Sequence, residues 1–223
     1  GAFTALELIV VDDTAAQLGR SQARNNGVAA AATSCKVTDT GTGDTYTSLQ
    51  DAVLDADPNQ PLTLTFTGTC MERLDIGRTE RTTIIGKRTR TSGIPTLDAS
   101  GTNLPAISMW ANTVILRSFT VTGGASPNDG GGISIQSTPV SLIDMTIHDN
   151  VAIGGKGGGV YSEAVLGPVV GGVPDPVLTI GGRTVIRDNQ ATDDGGGVYA
   201  GEGIIVRMTG RARLEGNRTM GDG

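Results

Sequence analysis

Three charged residues occupy the same place in a repeated pattern: His148 in MTIHDNVA, Arg187 in TVIRDNQA and Glu215 in ARLEGNRT. Thr122 falls at the matching position of an earlier, worn copy, VILRSFTVTGG, and Asp149 and Asp188 stand beside the row. A base, a cation and an acid so placed are groups that general acid–base catalysis uses. A lyase abstracts a proton with a base and neutralises a uronate carboxylate with a cation, and a hydrolase works with paired carboxylates. The competing description is a solvated ladder of alternating charge, which stabilises neighbouring strands without chemistry. The sequence favours the ladder and keeps His148, Arg187 and Glu215 as the catalytic candidates.

A second set lies just ahead of the glycine clusters. Asp129, Asp194 and Asp222 are candidates for calcium, which takes carboxylate oxygens, although Lys156 interrupts them and no G-G-x-G-x-D calcium repeat occurs. Tyr161 and Tyr199 follow their glycine clusters at equal distance and are candidates for a sugar platform or for ordinary surface packing. Asn150, Asn189 and Asn217 also recur in register; a structural ladder of stacked amides is the expected role, not catalysis.

These residues acquire common positions only through the repeat that carries them. The triplets Gly130–Gly132, Gly157–Gly159 and Gly195–Gly197 are each followed by a β-branched residue, and the asparagine segments fall between them. The first two triplets lie 27 residues apart and the last two asparagines 28; the middle unit is longer because of the Gly/Pro-rich loop SEAVLGPVVGGVPDP. Each unit holds short stretches that alternate apolar and polar residues, with no helical period. A unit this small cannot bury an apolar face alone, but it can against its neighbours. The expected fold is therefore all-β, a right-handed parallel β-helix (solenoid). Val121, Ile147, Ile186 and Leu214 should form one internal row, and Ile133, Val160 and Val198 another. Composition agrees: 34 glycines and only seven aromatic residues in 223 suit short strands and tight turns better than an aromatic-rich core.

The pattern GGG-[IV]-Y/S followed by I-x-[DG]-N-x-A resembles bacterial extracellular β-helix proteins of the pectin-lyase-like superfamily. It is most similar to the GGAI/FxxN repeats of polymorphic outer-membrane proteins. The segment YTSLQDAVLDADPNQPLTLTFTGTC, Tyr46 to Cys70, resembles the start of such domains, and the resemblance implies a short amphipathic helix capping the first coil. It covers roughly residues 45–223 and bears on fold more than function, because one architecture serves lyases, hydrolases, epimerases, adhesins and inert stalks. The glycosidase pattern of N-x-D, D-D and G-H-G is missing, and Asp193-Asp194 stands without those companions.

The expected organisation is an N-terminal arm or cap over residues 1–45 and β-helix repeats over 46–223. FTALELIVV, with Glu7, resembles a type IV pilin start but lacks the long hydrophobic helix, so a cap or an arm pairing with another subunit is expected. The sequence stops where a further triplet would begin, and an exposed last coil is expected to be covered by more chain or by a second copy. Two cysteines, Cys35 and Cys70, outside any C-x-x-C pair, suit one disulfide in an oxidising compartment. A net charge of −6 argues against nucleic acid, and no apolar run reaches membrane-span length. The expected function is a non-catalytic, secreted or cell-surface protein with a structural, adhesive or self-assembling role, without a cofactor unless calcium binds. Its expected partners are a second copy and a carbohydrate ligand. The alternative is a polysaccharide lyase or glycoside hydrolase with a groove along the β-helix.

Overall fold

The computed structural model describes residues 34–111, 113–164 and 176–220. The N-terminal arm with Glu7, most of the Gly/Pro-rich loop and the calcium candidate Asp222 lie outside them. The described chain is an all-β arrangement of parallel strands with a single helix. Its strands are mostly two to five residues long, and turn residues such as Gly123, Asp144, Asp149 and Asp188 end many of the alternating stretches.

One repeat shows how the sequence builds the whole. Val140–Ile143, Thr146–His148, Val151–Ala152 and Val160–Glu163 are four successive strands, and each pairs in parallel with its counterpart one repeat later. The next set is Val177–Gly181, Val185–Arg187, Gln190–Ala191 and Val198–Ala200. Repetition yields four sheets of eight, six, four and five strands. Because side chains alternate across a strand, equivalent apolar residues line up inside. Val121, Ile147 and Ile186 are fully buried and in register with Leu214. The row reaches back through Leu97 to Cys70. Ile133, Val160 and Val198 are likewise in register, continuing back to Ile107 and Leu74. Leu214, Val206 and Met208 are exposed, since no further described strand lies over them.

The glycine triplets answer two local demands. Gly195 has φ +64°, the left-handed region that suits a residue without Cβ. Gly158 and Gly159 instead make room: a Cβ on Gly158 would sit 2.2 Å from the Gln190 carbonyl oxygen, and one on Gly159 2.5 Å from that of Gly197. The triplet is thus one tight turn followed by two places where adjacent repeats touch backbone to backbone.

At the other end of the eight-stranded sheet, Lys36–Asp39 runs antiparallel to Leu62–Thr67 and pairs with Thr45–Tyr46. Helix α1, Leu49–Asp55, packs there with Leu49, Ala52 and Val53 buried. Ser48 caps it by accepting from Asp51 N at 3.0 Å. Glu72 completes the cap, accepting from Leu49 N at 2.7 Å and from the Ser48 hydroxyl at 2.6 Å. Cys35 and Cys70 are joined in a disulfide that ties the first described strand to the parallel sheets across a separation of 35 residues. Replacing both cysteines with serine is expected to lower unfolding stability by about 4 kcal/mol, the order set by loop closure at this length. A urea titration against the parent protein measures it, and an unchanged midpoint would remove the cross-link from the account of stability.

Candidate functional site

His148, Arg187 and Glu215 stand opposite one another on three adjacent strands of the six-stranded sheet, on its outward face. Neighbouring strands lie about 4.8 Å apart, so register places them close enough to act together. Each makes its ion pair locally. His148 Nδ1 lies 2.6 Å from Asp149 Oδ2, Arg187 Nη1 2.5 Å from Asp188 Oδ2, and Glu215 Oε2 3.0 Å from Arg213 Nε. Each charged residue is therefore engaged by a partner one or two positions away in its own strand or turn. Asp149 and Asp188 hold φ values of 54° and 53° at that turn, which fixes the direction from which they reach back. The result is three local pairs along one face.

The corner preceding the glycine triplets is organised around a lysine. Asp129 Oδ1 accepts from the Lys156 backbone N–H at 2.7 Å. The Lys156 ammonium lies 3.1 Å from Asp194 Oδ2 and 3.3 Å from the Tyr199 hydroxyl, and sits 4.5 Å from the Tyr199 ring centre. The hydrogen bond to Tyr199 and then that to Asp194 hold its pKa above the ordinary value. Lys156 thus supplies positive charge to this corner. Among the described residues, one group of acids and thiols lies within metal-ligand reach of itself, Cys35, Cys70 and Glu72, and there both sulfurs are taken up by the disulfide.

Tyr161 and Tyr199 stack face to face with ring centres 5.5 Å apart and planes 8° from parallel. Tyr161 is buried in the stack and donates to Glu163 Oε2 at 2.5 Å. Burial first, and that hydrogen bond second, push its phenol well above the ordinary 10.0. The mutual stacking covers one face of each ring.

The asparagines form the most continuous polar structure. Asn150 N and Nδ2 both donate to Asn189 Oδ1, at 3.1 and 3.0 Å. Asn189 N and Nδ2 repeat this geometry toward Asn217 Oδ1, also at 3.1 and 3.0 Å. Asn189 Nδ2 further donates to the Ile147 carbonyl, and Asn217 Nδ2 to that of Ile186. Asn150 and Asn189 are buried within the stack, so their amides serve the backbone of adjacent repeats.

Two features escaped the sequence reading. Arg78 sends its guanidinium under the end of α1, and Trp110 forms the rim of a cleft over the five-stranded sheet. Neither belongs to a repeated motif, and the only signal for Trp110 is that a lone tryptophan occurs in an aromatic-poor chain. No helix among the described residues is long and apolar enough to cross a membrane. Compared with protein-family models, with curated proteins and with solved structures, the chain matches none.

Proposed function

We propose that this chain is a right-handed parallel β-helix of the pectin-lyase-like kind, secreted or held at the cell surface, with a non-catalytic structural or adhesive role. The observation that carries this reading is the amide ladder Asn150–Asn189–Asn217, whose side chains bond repeat to repeat in a structural role. The outward row adds local ion pairs, His148 with Asp149, Arg187 with Asp188 and Glu215 with Arg213. The disulfide supports an oxidising compartment, and the register of parallel strands supports the β-helix.

The test is incubation with pectin, alginate and glycosaminoglycans, followed by ultraviolet absorbance of unsaturated product and by reducing-end release. No turnover is expected. Turnover that disappears in His148→Ala or Arg187→Ala would replace this reading with that of a polysaccharide lyase or hydrolase. Sedimentation velocity tests the assembly role. Growth of the particle with concentration supports it, and a single monomeric boundary throughout removes self-assembly from the proposal.

A further inference from the structure

We propose that the cleft over the five-stranded sheet binds a neutral pyranose unit of a glycan, stacked on Trp110 and hydrogen-bonded by Arg73, Asp75, Ser108, Ser134 and Gln136. This names a ligand class for the adhesive role and rests on the non-catalytic reading above.

Strand register builds the site. Asp75, Ser108 and Ser134 are opposite one another on adjacent strands, outward of the buried Ile76, Met109 and Ile135. Trp110 and Gln136 follow Met109 and Ile135, and so stand at one level on neighbouring strands. The space they enclose is about 220 Å³, below the ~300–1,000 Å³ of drug-sized sites, and it suits a single sugar ring.

The chemistry of the lining is that of polyol recognition. Trp110 is 55% exposed, and its indole rests over Gly77, where a Cβ would come within 2.5 Å of Nε1. A flat, supported aromatic surface facing water is what the C–H face of a pyranose can cover, with the gain that comes from burying apolar area. The polar side of the cleft carries both donors and acceptors. Arg73 Nε is buried and has no hydrogen-bond partner among the described residues. The Arg73 side chain as a whole is 34% exposed and lines the cleft, so its terminal N–H groups are the donors a ligand oxygen can reach. Arg73 also pairs with Asp75, so donor N–H groups and an acceptor carboxylate lie side by side with no net charge. A vicinal diol, which both donates and accepts, matches that pair. A uronate carboxylate would face Asp75 in a chain of net charge −6, and the neutral sugar is favoured for that reason.

Trp110 is the chain's single tryptophan, so its emission reports on this cleft alone. The intact protein is titrated with cello-, manno- and galacto-oligosaccharides, and in parallel with oligogalacturonate. A saturable emission change with at least one neutral oligosaccharide is expected. By calorimetry, Trp110→Ala should weaken that binding roughly tenfold, while Ser134→Ala and Gln136→Ala weaken it a few-fold and all three keep the parent melting temperature. No emission change with any neutral oligosaccharide overturns the proposal, as does tighter binding of oligogalacturonate. Sensitivity to Trp110→Ala with intact oligosaccharide recovered afterwards supports it. Cleavage of the bound oligosaccharide would instead overturn the non-catalytic reading and leave the cleft as the binding site, so the two failures are distinguishable.

Discussion

Replacing Asn189 with alanine is expected to lower unfolding stability by about 4 kcal/mol, the largest effect of any single amide in the stack. The residue is 1% exposed, and its side chain serves repeats on both sides. Without it the Asn150 backbone N–H loses its acceptor and the Ile147 carbonyl loses the amide donor. A buried unmet backbone group costs about 1–3 kcal/mol; the Asn150 N–H becomes one, the Ile147 carbonyl loses its second donor, and a small cavity opens. The Asn150 side chain is less affected, because its Nδ2 also donates to the His148 carbonyl at 2.9 Å. Asn217→Ala is the internal comparison. Asn217 is only partly buried, water can replace much of what it does, and about half the loss is expected. Urea midpoints at constant m-value measure both. A loss below about 1 kcal/mol for Asn189→Ala would show that the ladder is ornamental to stability.

Arg78→Met is expected to cost a similar amount, about 4 kcal/mol, by a different route. The Arg78 guanidinium donates to four backbone carbonyls, those of Val53, Ala56, Asp57 and Gln60. Val53 lies in the last turn of α1 and Ala56 caps it, where helical carbonyls have no partner of their own. Burial is the leading influence on the guanidinium and holds its pKa below the ordinary value, yet arginine remains charged at any working pH. Methionine preserves most of the packed stem but offers no donor, so the carbonyls lose charge-assisted bonds worth about 1.5–3 kcal/mol each before compensation by water. The effect should be local as well as global. Amide exchange in α1 should accelerate, while the strands near Asn150 keep their protection. Equal acceleration everywhere, or none in α1, would show that Arg78 does not anchor this end.

Legibility in the sequence followed repetition. From Val114 onward, short units share a glycine triplet or an asparagine at a fixed place, and those marks were enough to put Val121, Ile147 and Ile186 in one row. The two preceding repeats, Leu62–Thr67 through Leu74–Ile76 and Thr82–Gly86 through Ile107–Met109, pair in the same parallel manner. They lack both marks, and nothing in their text distinguishes them from isolated strands. The anchoring of α1 was equally hidden, since Glu72 and Arg78 reach the helix from more than 20 residues away. For the charged row, spacing correctly placed His148 beside Arg187 and Arg187 beside Glu215. It did not reveal that each would turn to its own neighbour.

What the sequence by itself determined is direction: alternation tells which residues face inward, and the glycine and asparagine marks tell where the chain must turn, because both are local backbone requirements. Which side chains meet across those strands was decided only by the tertiary structure. Parallel pairing joins residues 26 to 39 positions apart in the later repeats, as Ser126 with Ala152 and Ala152 with Ala191. The cleft of Trp110, Arg73 and Ser134 exists only once three such strands lie side by side. An outward side chain then settles on the nearest opposite charge or open surface, a choice made by distance in space, which sequence separation does not encode.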